Sequence, residues 1–166
     1  TPDQLAEAGV RPGTRVCVHR SKRELVEIDD YLGSYFMDHR ALLVVLLSAA
    51  RELRQRPERP PQDVYFVCTV SEEVGGLGGS YASRALPGEL TLALEVGPTE
   101  AEYGTTVTRG PVVGYSDAQC VYDKGVADRL VDVATALGAD PQPAVLGAFE
   151  SDASHAKSNG HAAAAG

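Results

Sequence analysis

The 166-residue chain is short of positive charge: 15 Lys and Arg stand against 23 Asp and Glu, a formal net charge of −8. Nucleic acids and anionic membranes are met by basic surfaces, so this balance excludes both as partners. Long apolar runs are missing too. The longest, Ala41–Leu47, falls far short of the roughly 20 residues that span a bilayer, and reads instead as a helix buried in a core. Cysteine is scarce. Cys17, Cys68 and Cys120 are odd in number and far apart, which excludes a disulfide framework and a Cys-x-x-Cys metal knuckle and leaves reduced thiols in a cytoplasmic protein. An initiating Met and a signal segment are also absent: the chain opens at Thr1 and stops in "GHAAAAG", and is expected to be a piece of a longer protein. Its histidines (His19, His39, His155 and His161) show no His-Glu-x-x-His spacing. The glycines Gly75, Gly76, Gly78 and Gly79 lack the Lys-Ser/Thr of a phosphate loop, and two acids precede them, so they give no nucleotide site.

What is there is 43% hydrophobic and alternates between helical and strand patterns. Residues 3–9 read as a short helix closed by Gly9, followed by a Pro-Gly turn and strand candidates at 16–19, 24–28 and 31–36. At Asp38 the pattern changes to a long apolar helix with Asp38 in the N-cap position and arginines toward its end, broken by "RPERPP". "DVYFVCTV" (63–70) is a nearly continuous β-branched run, as in a strand covered on both faces. A helix over 80–86, a second buried strand over 89–96, a helix over 123–138, a strand over 143–149 and a last helix over 151–160 follow. Strands alternating with helices predict an α/β layered fold with a largely parallel sheet.

Ligands of open α/β sheets bind at the carboxyl ends of the strands. Glu72 and Glu73 follow the 63–70 run, Glu95 ends the next strand, Asp152 lies just beyond 143–149, and Asp38 opens a helix that starts on the same edge. Five carboxylates on one rim repel unless a cation offsets them, so the pattern predicts a site for a hard cation. Single residues have plainer readings: Asp38 and Asp152 as helix caps, Glu72 and Glu73 as a solvated pair. A glutamate inside the apolar run of Glu95 is harder to account for without a partner.

"YFMDHR", "YFVCTVSEEVGGLGG", "LALEVG", "GPVV" and "ESDASHAKSNG" occur in order and spacing that resemble the dinuclear-metal aminopeptidases typified by glutamyl aminopeptidase, deblocking aminopeptidase and the TET peptidases. The resemblance spans nearly the whole chain. It implies a three-layer αβα phosphorylase/hydrolase-like catalytic domain over 37–166, incomplete at both ends, preceded at 1–36 by the tail of a β-barrel apical insertion domain. It also implies two divalent metal ions, zinc in the first place with cobalt or manganese as alternatives, a peptide substrate and a homo-oligomer. Carried over by position, Asp38 bridges the two ions, Glu73 and Glu95 each ligate one, and Glu72 is the general base that takes a proton from a metal-bridged water. One glutamate of the pair would bind metal while its neighbour moves a proton.

The chain departs from that pattern at several places. Glu95 stands where the family has Asp, a choice commoner in related carboxypeptidases and deacylases. His39 replaces Asp or Asn, the glycine loop is one residue longer, and neither family metal histidine has a counterpart here. An aminopeptidase of the parent protein, inactive in this segment alone, is therefore the first expectation. A related carboxypeptidase or amidohydrolase, or a non-catalytic scaffold, are the alternatives.

Overall fold

A computed structural model describes all 166 residues, which divide into two compact units, Thr1–Met37 and Asp38–Gly166. In the first, helix α1 (Pro2–Glu7) is closed by a capping box: the Gln4 N–H donates to Thr1 Oγ1, and Gln4 reaches back to the Thr1 amine. Pro2 fits the first helical position, where no N–H is needed. A 3₁₀ turn covers Arg20–Lys22. Strands β1 (Val26–Ile28) and β2 (Tyr31–Gly33) form an antiparallel hairpin pairing Val26 with Gly33 and Ile28 with Tyr31. The strand expected at 16–19 is not formed; Val16 is fully in the open, and the segment has no ladder partner. No residue of this unit is buried, in keeping with a piece too small to enclose a core.

The second unit opens with α2 (Met37–Gln55), whose first turn is irregular: Asp38 and His39 have non-helical backbone angles, and the peptide bond between them is cis. Asp38 is therefore not the simple cap its position predicts; its carboxylate meets the His39 ring instead of a helix N–H. Then come α3 (Leu77–Ala85), β3 (Leu90–Ala93), β4 (Val112–Ser116), α4 (Lys124–Ala136), β5 (Gln142–Val145), α5 (Asp152–Ser158) and β6 (Ala162–Ala165). The sheet order is β3-β6-β4-β5. β3 runs parallel to β6 and β4 parallel to β5, while β4 and β6 meet antiparallel at Gly114 and Ala165. The fold is mixed α/β, and the sheet is largely parallel as expected, two parallel pairs joined by one antiparallel contact.

The core is built from small residues. Ala153 and Ala156 of α5 and Ala163 and Ala165 of β6 are buried with Tyr122 in one cluster, and Ala127 of α4 and Ala164 of β6 are buried as well. Their short side chains let helices approach the sheet closely, and the closing alanines, which read as low complexity, form an inner strand. α4 is capped by Asp123, which accepts from the Val126 N–H, and α5 by Ser151, not by Asp152 as the sequence predicts; Ser151 accepts from Ala153.

Three expectations of burial fail. Residues 63–70 form no strand, and Val64, Tyr65 and Val70 are exposed. β3, shorter than expected, alternates exposed and half-buried at the sheet edge. α2 buries none of its residues, Val44 and Leu47 included. An apolar β-branched run signals burial between neighbours, and within this chain no strand lies alongside 63–70 to supply a ladder. No helix is long and apolar enough to cross a membrane.

Candidate metal centre

Glu95 sits two residues beyond β3, at the carboxyl end that open α/β sheets use for ligands. Its N–H donates to the Gly166 carbonyl at 3.1 Å, and its own Oε1 accepts from the Val96 N–H at 2.8 Å. These bonds fix the side chain, which is 14% exposed. The irregular opening turn of α2 brings Asp38 and His39 to the same point. His39 Nδ1 lies 2.6 Å from Asp38 Oδ1, and Nε2 bonds to Glu95 Oε1. Carboxylates only accept, so both ring nitrogens are donors and the ring fits as an imidazolium between two anions.

The electrostatics agree. Burial alone would lower the His39 pKa, but Glu95 and Asp38 outweigh it and raise the pKa. Glu95 is itself raised, first by burial, against the opposing pull of the Val96 N–H and His39. Glu72 is raised by partial burial and then by the charges of Glu95, Asp152 and Glu73. A carboxylate whose proton affinity is lifted in this way is suited to accept and return a proton.

Ligand atoms of Asp38, His39 and Glu95 all lie within 4.8 Å of one another. With the His39 ring deprotonated, two carboxylate oxygens and an imidazole nitrogen make a donor set that zinc and similar divalent ions accept, so these residues fit a metal that takes the place of a ring proton. Of the residues singled out by sequence, the structure thus brings Asp38 and Glu95 together, with Glu72 half-buried and within their electrostatic reach. Glu73 is exposed and stands outside the group. Asp152 turns to Thr69, whose hydroxyl donates to Asp152 Oδ2 at 2.6 Å. In sequence His39 stands out only as a replacement for Asp or Asn. The signal available was its adjacency to Asp38: a turn that presents one of two neighbours to Glu95 can present both.

The family model for M42 glutamyl aminopeptidase matches residues 1–166, and the chain belongs to that family. Among solved structures, aminopeptidase APDkam598 from the archaeon Desulfurococcus kamchatkensis is 27% identical with a TM-score of 0.79, covering 98% of this chain and 47% of its own. PhTET1-12s, solved as a dodecamer, is 22% identical with a TM-score of 0.75, covering 87% of this chain and 44% of its own. A TET aminopeptidase from a marine sediment archaeon of the Thaumarchaeota is 24% identical with a TM-score of 0.73, covering 78% and 38%. The two less similar chains speak for the fold alone. The chain spans less than half the length of each solved structure.

Proposed function

We propose that this chain carries part of the catalytic centre of a metal-dependent aminopeptidase that removes N-terminal residues from short peptides. The observation that carries the reading is the convergence of Asp38 and His39 with Glu95, which lies 56 residues beyond His39 in sequence, beside a half-buried Glu72 of raised pKa. Membership of the glutamyl aminopeptidase family supports it, as does the likeness to an archaeal aminopeptidase along 98% of the chain.

In this reading Asp38, Glu73 and Glu95 are metal carboxylates and His39 a further donor. Two divalent ions, zinc or alternatively cobalt or manganese, supply Lewis acidity at the scissile carbonyl and lower the pKa of the attacking water. The residues of the chain do the rest. Glu72, free of the ligand group, takes the proton of the nucleophile and returns it to the leaving amine. Its partial burial, and then the charges of Glu95, Asp152 and Glu73, raise its proton affinity, which favours both transfers. The 166 residues alone are proposed to be inactive, and the complete protein a cytoplasmic homo-oligomer, as PhTET1-12s is a dodecamer.

Glu72→Gln tests the assignment. It keeps the side chain's size and removes the base. Metal content after dialysis stays near wild type, while turnover falls by the roughly 10²–10⁴-fold of lost acid–base catalysis. If Glu72→Gln empties the site while Glu73→Gln retains the metal, the two roles are reversed. Glu95 favours a second reading, an amidohydrolase or carboxypeptidase relative, which preference for N-acylated peptides would establish.

A further inference from the structure

The turn that carries Glu72 and Glu73 is held at both ends by one face of α5. Ahead of the pair, Thr69 donates its hydroxyl to Asp152 Oδ2 at 2.6 Å. Behind it, Gly76 lies against the His155 ring so closely that a Cβ there would run into the imidazole, and its φ of +58° also favours glycine. One helical step further, Gly79 leaves room for the Asp152 carboxylate in the same way. Asn159 Nδ2 donates to the Ser80 carbonyl at 3.2 Å and to Ser83 Oγ at 2.9 Å. Residues 152, 155 and 159 are spaced i, i+3 and i+7, which places them on one face of α5 and its C-terminal extension.

Between these anchors the backbone closes on itself. Gly75 and Gly76 donate to the Glu72 carbonyl, Leu77 to Ser71 and Gly78 to Val70, at 2.8–3.2 Å. The tight turn has no bonds to the sheet of its own, so its placement relative to Glu95 depends on what α5 grips. Asp152 does so at a cost. Its Oδ1 is buried without a hydrogen-bond partner, and such orphans are exceptions that stability alone does not explain. A helix packed for stability alone would do better with an apolar residue there.

We propose that Asp152, acting through Thr69, is a positioning residue that, with His155 and Asn159, clamps the 70–78 turn and so sets where Glu72 and Glu73 stand relative to Asp38 and Glu95. The proposal rests on the role given to Glu72 above. It assigns Asp152 and Thr69 a function in this protein apart from metal ligation and proton transfer.

Thr69→Val is the direct test, since it keeps the shape and removes only the donor; Thr69→Ser restores the hydroxyl, and Thr69→Ala repeats the loss without bulk should the valine variant fail to fold. In the complete gene product, hydrogen exchange at the Gly75–Gly78 amides is followed by mass spectrometry beside kcat and KM. The clamp predicts at least about tenfold faster exchange in Thr69→Val and Thr69→Ala. Displacement of a catalytic group by about 1 Å can cost up to 10²-fold, so kcat falls at least about tenfold with KM within about twofold. Thr69→Ser recovers both. Exchange unchanged in the valine and alanine variants, or kcat within twofold of wild type while Glu72→Gln is inactive, overturns the clamp. If Glu72→Gln is itself fully active, the reading of Glu72 fails, and the exchange rates alone judge whether Asp152 holds the turn.

Discussion

His39 and Glu95 lie 56 residues apart in sequence, yet Nε2 of the one bonds to the carboxylate of the other while Nδ1 lies 2.6 Å from Asp38. A single imidazole thus sits between two acids from different segments. Removing it leaves two carboxylates facing each other and one donor fewer for a metal. His39→Ala should therefore weaken zinc binding by at least about tenfold, the scale on which changes around a metal site act. Competition against a chromophoric chelator measures it, and unchanged affinity would remove His39 from the donor set.

Asp117 is the most heavily bonded acid of the fold. It is buried and accepts from the Tyr122 hydroxyl at 2.7 Å, from Ser154 Oγ, and from the backbone N–H groups of Gln119 and Cys120. Burial opposes ionisation there, but the hydrogen bonds from Ser154, Tyr122, Cys120 and Gln119 prevail and lower its pKa. Asp117→Ala orphans those donors and should cost about 3 kcal/mol, read from urea unfolding at pH 7.

The same group sets a pH dependence. Its folded pKa is below the unfolded value of about 3.9, so its stabilisation is complete above that value and is lost as pH falls through the folded pKa. Between pH 5 and 2 the wild type should lose more stability than Asp117→Asn. Parallel losses in the two proteins would place the acid sensitivity elsewhere.

Gly79 tests the packing of α3 on α5. In an exposed helix Ala is better than Gly by about 1 kcal/mol, but a Cβ at Gly79 meets the Asp152 carboxylate. Overpacking of this kind costs about 1–3 kcal/mol. Gly79→Ala should lower the melting temperature, while Gly88→Ala, where a Cβ meets open space, should leave it near wild type.

Helices were the more legible part of the fold. α1, α4 and α5 follow from caps and apolar spacing that act within one turn, and α3 differs only in starting earlier, at Leu77, because the glycines that look like loop residues are packed against α5. Strands depend on partners far along the chain. β6 is four alanines with no strand propensity, made a strand by β3 and β4 on either side. The run 63–70 has every local mark of a strand and no partner within the chain. At the site, a glutamate at a strand end and an aspartate opening a helix on the same edge are read to one rim, and Asp38 and Glu95 lie close together there. That His39 would join them depends on the irregular turn at 38–39, which no periodicity reports.

Metal-dependent aminopeptidase activity is measured as amino acid release from a short peptide with a free N-terminus and from its N-acetylated twin. The complete gene product is assayed before chelation, after it, and after zinc, cobalt or manganese is restored. The expected result is stepwise release from the free peptide only, abolished by the chelator and recovered with metal. Cleavage of the acetylated peptide in preference, or release that survives rigorous removal of metal, would contradict it.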